Sequence, residues 1–143
     1  MRFWDSSALV PLAIHQDSSR RTDAWYRADH QIAIWTLTPV EVVSAIHRLL
    51  RMRTLEPRVA REAEARVVEL ATTASMIVDV NAVKATAVRL LRLHPLRAAD
   101  ALQLGAALQW AESNPAGRVF HTLDDRLGEA ALREGFDVLS RSG

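Results

Sequence analysis

The sequence predicts an α/β fold, a three-layer α/β/α sandwich around one parallel sheet of about five short strands. Three observations carry that prediction. Apolar runs of strand length recur at 2–4, 31–35, 76–80, 118–121 and 136–139. Longer stretches of helical periodicity lie between them, opened by capping residues or by proline. Strands that alternate with helices need crossover connections, which make neighbouring strands parallel and cover both faces of the sheet. With 143 residues and neither repeat, linker nor low-complexity segment, the whole of 1–143 is expected to form one domain.

Each element has a local reason. After the first strand, Asp5-Ser6-Ser7 is a cluster of helix-capping types leading into an apolar helix to about Ile14. A polar helix follows over 18–29, carrying Trp25 and Tyr26. Past the second strand, Thr38 reads as an N-cap, Pro39 as the first helical residue and Glu41 as the acid of a capping box, with the helix running to about Arg53. Segment 58–73 is amphipathic, and Asn81 after the third strand is expected to cap a helix to about Leu93. Pro95 opens the next helix, which carries Leu96 to Leu108 and ends near Ser113 before the turn Asn114-Pro115-Ala116-Gly117. The fourth strand gives way to a capped junction at 122–125 and a helix over 126–134, which Gly135 stops ahead of the last strand.

Composition narrows the function. A hydrophobic fraction of 49% and a charged fraction of 24% are those of an ordinary globular protein. The sequence contains no cysteine, which removes disulfides and thiolate zinc sites. No apolar run approaches the roughly 20 residues of a membrane span, and the N-terminus lacks a signal-peptide core, so a cytoplasmic protein is expected. A net charge of +1 gives no overall field for holding nucleic acid. All but Lys84 of the 18 basic residues are arginine.

Four acids fall where function gathers in such a fold, beyond the carboxyl ends of the strands. Asp5 follows the first strand, Glu41 the second and Asp124 the fourth. Asp100 sits within the helix that leads toward the fourth strand and can project onto the same edge. Capping alone accounts for Asp5, Glu41 and Asp124 one at a time. Asp100, read as a mid-helix residue, caps nothing; its ordinary explanation is solvent or Arg97 one turn back. Converging carboxylates cannot all ionise unaided, and a divalent cation resolves that repulsion. All-oxygen ligation favours Mg²⁺ or Mn²⁺ over zinc.

The order Asp5-Ser6-Ser7-Ala8-Leu9, Glu41 at a helix start, Leu96-Arg97-Ala98-Ala99-Asp100-Ala101-Leu102-Gln103-Leu104 and Phe120-His121-Thr122-Leu123-Asp124 resembles the PIN-domain nucleases. More narrowly, it resembles the VapC toxins of bacterial type II toxin–antitoxin pairs. The resemblance covers essentially the whole chain. It implies a strand order of 3-2-1-4-5, a metal-dependent endoribonuclease, RNA as substrate, a small antitoxin protein as partner and a homodimer. By match to the family's motifs, Asp5, Glu41, Asp100 and Asp124 become the catalytic and metal-binding quartet. Asp125 stands beside Asp124 where the family often has a basic or other polar residue; Asp124, directly after Thr122-Leu123, is favoured as the one that points inward.

Several neighbours have two readings. Ser6 and Thr122 can hold a ligand or phosphate oxygen, or simply cap. Arg48, two helical turns after Glu41, and Arg97 can grip a nucleic-acid backbone, or pair with nearby acids. The five histidines lack metal-ligand spacing and read as structural or surface residues; His121, the one near the expected edge, has a general-acid role as its alternative reading. Trp4 and Trp35 read as core. Trp25 and Tyr26 read as packing, or as a partner surface. A phospho-acceptor regulator would need an acidic pair after the first strand and a lysine after the last, and an Asp-x-Asp phosphatase an acid at position 7, which is serine. The remaining rival is a non-catalytic RNA- or protein-binding module of the same fold.

Overall fold

A computed structural model of the chain describes residues 1–139; residues 140–143 of the expected domain lie outside the described residues. The strands are β1 (Arg2–Trp4), β2 (Ile32–Trp35), β3 (Ser75–Ile77), β4 (Val119–His121) and β5 (Asp137–Leu139). They form one sheet in the order β3-β2-β1-β4-β5, parallel at every pairing. Register places Phe3 against Ala33 and Phe120, and Trp4 against His121.

Strand alternation sends successive residues to opposite faces, and each face has its own core. On one side Phe3, Ala33, Trp35 and Phe120 pack against α5 (Val80–Leu93), α6 (Ala98–Trp110) and α7 (Asp125–Glu134). On the other, Trp4, Ile32 and Ile34 pack against α1 (Ser6–Ala13), α2 (Ser19–Ala28), α3 (Thr38–Arg51) and α4 (Pro57–Thr73). A parallel sheet covered on both faces explains why β2 is buried at every position. Gly105 lets α6 approach α5 closely, because a Cβ there would stand 3.1 Å from the Val83 carbonyl oxygen.

Three helix starts differ from the sequence expectation. α6 begins at Ala98, three residues after Pro95, with Arg97 at its N-cap. Asp100 therefore lies in the first helical turn rather than mid-helix. Leu37, not Thr38, is the N-cap of α3; Glu41 makes no capping box, because its carboxylate is spent elsewhere. β3 ends at Ile77, and Asp79 rather than Asn81 caps α5 by accepting from the Ala82 N–H. The expected caps Asp5 and Asp124 do cap, accepting from the Ala8 and Leu127 N–H groups. Gly135 ends α7 with φ of 105°, a left-handed conformation that glycine adopts without strain.

Trp25 is buried beneath β1 and β4, where its ring stacks on His121 at 4.6 Å with Trp4 alongside at 6.2 Å. It is core and not an exposed partner surface. His121 is fully buried in this aromatic layer, and desolvation together with Arg2 lowers its pKa to about 3. It stays a neutral structural imidazole.

Candidate active site

Three of the four acids follow the carboxyl ends of adjacent strands because β1, β2 and β4 are neighbours in a parallel sheet. The register that pairs Trp4 with His121 brings Asp5 beside the 122–124 junction, and the Asp5 N–H donates to the His121 carbonyl. The first turn of α6 supplies Asp100 from the side. Asp5, Glu41, Asp100 and Asp124 together line one cleft of about 530 Å³, with Ser6, Ser7, Ser44 and Arg48 in its walls.

Asp5 is almost completely buried, at 2% exposure, and its carboxylate is built into a network. Oδ1 accepts from the Ala8 N–H at 2.9 Å, and the Ser7 hydroxyl lies 2.8 and 2.9 Å from the two carboxylate oxygens. The Thr122 hydroxyl donates to Oδ2 at 2.8 Å while accepting from the Asp124 N–H at 3.0 Å. Ser7 Oγ in turn accepts from the Leu123 N–H at 2.9 Å. One serine and one threonine thus tie the start of α1 to the start of α7 through Asp5. Burial, against the pull of these hydrogen bonds, raises the Asp5 pKa to about 7, and the charge of Asp124 adds to the rise.

Glu41 is held from both sides. Ser6 Oγ donates to Oε2 at 2.9 Å, and Gln103 Nε2 donates to Oε1 at 3.1 Å and to Thr38 Oγ1 at 3.1 Å. Burial raises its pKa, with the Asp100 charge as a further cause. Asp100 is half-buried on the cleft wall, and its pKa is raised by desolvation and then by Asp124, opposed by Arg97. Asp124 spends Oδ1 on the α7 N-terminus, accepting from the Leu127 N–H at 3.0 Å. The couplings run from Asp5 to Asp124, from Asp124 to Asp100 and from Asp100 to Glu41, so the four acids act as one electrostatic group. Asp125 is exposed and lines a neighbouring cleft rather than this one.

Among the described residues, no three Asp, Glu or His side chains converge at metal-ligating distance. The donor chemistry still fits a hard divalent cation, since the donors are carboxylates whose mutual repulsion and burial penalise their own ionisation. Mg²⁺ keeps several of its waters and takes one or two carboxylates directly, so it does not require a closed cage.

The structure assigns Ser6 and Thr122 to the acids, as donors that orient Glu41 and Asp5. Arg48 reaches the cleft because positions 41, 44, 45 and 48 share one face of α3. Two residues of the site escaped the sequence reading. Ser7 was visible only as part of a capping cluster. Gln103 is 1% exposed, and its signal was a lone polar residue three positions after Asp100 in an otherwise apolar helix.

No family model and no curated protein sequence matches this chain. Solved structures do. The chain is similar to PAE2754 from Pyrobaculum aerophilum, with 22% identity and a TM-score of 0.62 over 99% of this chain and 89% of that one. It is similar to FitAcB from Neisseria gonorrhoeae, with 16% identity and a TM-score of 0.66 over 97% and 96% of the two chains. A toxin–antitoxin complex from Klebsiella pneumoniae matches with 19% identity and a TM-score of 0.62 over 87% of each chain. The fold is PIN-like. In this PIN-like fold the acid cleft occupies the carboxyl edge of the three central strands, and no helix among the described residues is long and apolar enough to cross a membrane.

Proposed function

We propose that this chain is a metal-dependent endoribonuclease and the toxin of a toxin–antitoxin pair. The observation that carries this reading is the meeting of Asp5, Glu41, Asp100 and Asp124 in one cleft, where burial and neighbouring carboxylates raise the pKa values of Asp5, Glu41 and Asp100. Such a cluster is unfavourable unless a cation or protons compensate it. Mg²⁺ or Mn²⁺ would be held by Asp100 and Asp124 from the cleft wall and by Asp5 and Glu41 from its floor, directly or through water. When bound, such an ion lowers the pKa of a ligated water and offsets charge on a phosphodiester.

The chain's own residues prepare that chemistry. Ser7, Thr122 and the Ala8 N–H hold Asp5 in one orientation, and Ser6 with Gln103 does the same for Glu41. Preorganised acids need no rearrangement when the substrate arrives. Asp100 bonds no side chain among the described residues and is the carboxylate most available to ligate or to orient a water. Arg48 provides an exposed guanidinium at the cleft wall for a substrate phosphate. The motif resemblance supports RNA rather than DNA, because the acid geometry itself is indifferent to the sugar.

An antitoxin is supported by the toxin–antitoxin complex among the similar structures and by a surface that suits a protein partner. Between α3 and α4 runs a groove of about 530 Å³ lined by Pro39, Val40, Val43, Val67, Val68 and Ala71. Val40 and Val68 are 65% and 64% exposed. Exposed apolar side chains along a groove favour a protein partner at this face.

Cleavage of total RNA and of single-stranded DNA, with Mg²⁺ or Mn²⁺ against chelator, tests the reading. Metal-dependent RNA fragments are expected from the wild type, and Asp100→Asn should lose at least about 10³-fold in rate while keeping its thermal midpoint. A folded wild type with neither cleavage nor Mg²⁺-dependent stabilisation would refute the nuclease and leave the binding module.

A further inference from the structure

We propose that Arg97 and Arg126 form a second phosphate grip, so that a nucleic-acid strand crosses the acid site from the Arg48 side to the Arg97–Arg126 side. The inference rests on the nuclease reading and adds to it the path of the substrate and two residues that position it. Its basis is that Asp100 and Asp124 line two clefts, not one. On one side they close the cleft that contains Asp5, Glu41 and Arg48. On the other they close a cleft of about 510 Å³ lined by Pro95, Arg97, Asp125 and Arg126. The acid pair is the boundary the two clefts share. A polymer with a phosphate over that pair therefore enters both.

The charges divide in the same way. A net charge of +1 attracts no polyanion from a distance, and exposed charges are screened beyond about 8 Å at physiological salt. Four carboxylates at the centre repel a phosphodiester, so the holding force has to come from cations within a few ångströms of the flanking phosphates. Arg48 provides one on the first side, and Arg97 and Arg126 provide two on the second.

All three arginines are exposed, and among the described residues none stands within ion-pair distance of a carboxylate, the charge of Arg97 acting on Asp100 only at longer range. Arg58, Arg66 and Arg133 on outer helix faces, by contrast, are paired with carboxylates three or four residues away. Asp125 shares the second cleft but adjoins Arg126 in sequence, and successive residues on a helix do not face each other. Arg97 and Arg126 also stand at the starts of α6 and α7, where the helix dipoles add positive potential. None of the side chains lining either cleft is aromatic. The grip is thus on phosphate rather than by base stacking, and it tolerates sequence.

The test measures binding separately from turnover. Anisotropy of a labelled single-stranded RNA is followed across a salt series, with Ca²⁺ in place of Mg²⁺, for the full chain. Each phosphate contact to a single strand contributes about 0.7 to the slope of log affinity against log salt. Arg97→Ala/Arg126→Ala should flatten the slope by about 1.4 and weaken binding roughly tenfold at 0.15 M salt. In Mg²⁺ the same variant should raise KM more than it lowers kcat. Asp125→Asn should tighten binding, and Arg61→Ala/Arg92→Ala, exposed but outside both clefts, should leave affinity and slope at wild-type values. A double variant at Arg97 and Arg126 that keeps the wild-type slope, in a protein that still cleaves RNA, would overturn the second grip alone. A wild type that neither binds nor cleaves RNA would overturn the nuclease reading with it.

Discussion

Asp5 and Asp100 look alike in the sequence, as lone acids beside the same sheet edge, but they occupy opposite situations. Asp5 is 2% exposed, fixed by a backbone N–H and two hydroxyls, and forms part of the joint between α1, β4 and α7. Asp100 is half-buried on a cleft wall and is bonded to no side chain among the described residues. The first acid is built into the framework, while the second holds no other side chain in place. Removing each should therefore separate stability from activity.

The largest effect on stability is expected at Asp5. In the metal-free protein its pKa of about 7 lies far above the ordinary value of 3.8. Between those values the folded chain keeps the proton that the unfolded chain releases, so stability is full below about pH 4 and falls as pH rises towards 7. One such proton is worth about 1.4 kcal/mol per pH unit, on the order of 4 kcal/mol across the window. His121 acts with the opposite sign, because its pKa falls from 6.5 to about 3 and the unfolded chain takes up the proton first. The two groups nearly cancel in the wild type from about pH 4 to 6.5. Asp5→Asn should break that balance. Its denaturation free energy relative to wild type should climb by about 1.4 kcal/mol per unit up to about pH 7 and then level off. Asp100→Asn should move the profile in the same direction by much less, since solvent reaches that carboxylate. A constant difference between wild type and Asp5→Asn across the window would refute the buried-acid account.

Thr122 sharpens the comparison at a smaller scale. It is fully buried and serves both acids of the joint, donating to Asp5 and accepting from the Asp124 N–H. Thr122→Val preserves the shape and removes the hydroxyl, leaving the Asp124 N–H without its acceptor. The expected cost is about 1–3 kcal/mol in chemical denaturation. The Asp5 pKa should also rise further, because a hydrogen bond that favours the carboxylate is gone. Equal stability of Thr122→Val and wild type would mean that the network holds nothing together.

The fold was legible because its signals are redundant. Five apolar runs alternate with capped periodic segments, and the structure has five parallel strands in the order 3-2-1-4-5. The same patterning left helix starts open. Pro95 and Leu96 fit a first turn by type, but the observed N-cap is Arg97, whose side chain caps nothing. The Glu41 spacing satisfies a capping box, yet tertiary donors Ser6 and Gln103, 35 and 62 residues away, take its carboxylate instead. A local motif has no knowledge of distant partners. The four acids were readable from strand ends and helix starts, whereas the donors that aim them were not. Ser7 and Gln103 are ordinary residues until the sheet register brings Leu123 and Glu41 to them.

The smallest expected change decides between adjacent acids. Asp124 accepts from the Leu127 N–H and caps α7, whereas Asp125 is exposed in the first turn. Asparagine caps as well as aspartate, so Asp124→Asn should cost only a few tenths of a kcal/mol, against about 1 kcal/mol for Asp124→Ala. The carboxylate charge is absent in both variants. If Asp124 serves the site as well as the helix, Asp124→Asn should lose RNA cleavage at near wild-type stability, while Asp125→Asn keeps both. Cleavage retained in Asp124→Asn and lost in Asp125→Asn would reverse the assignment, because the cap would then be the whole role of Asp124.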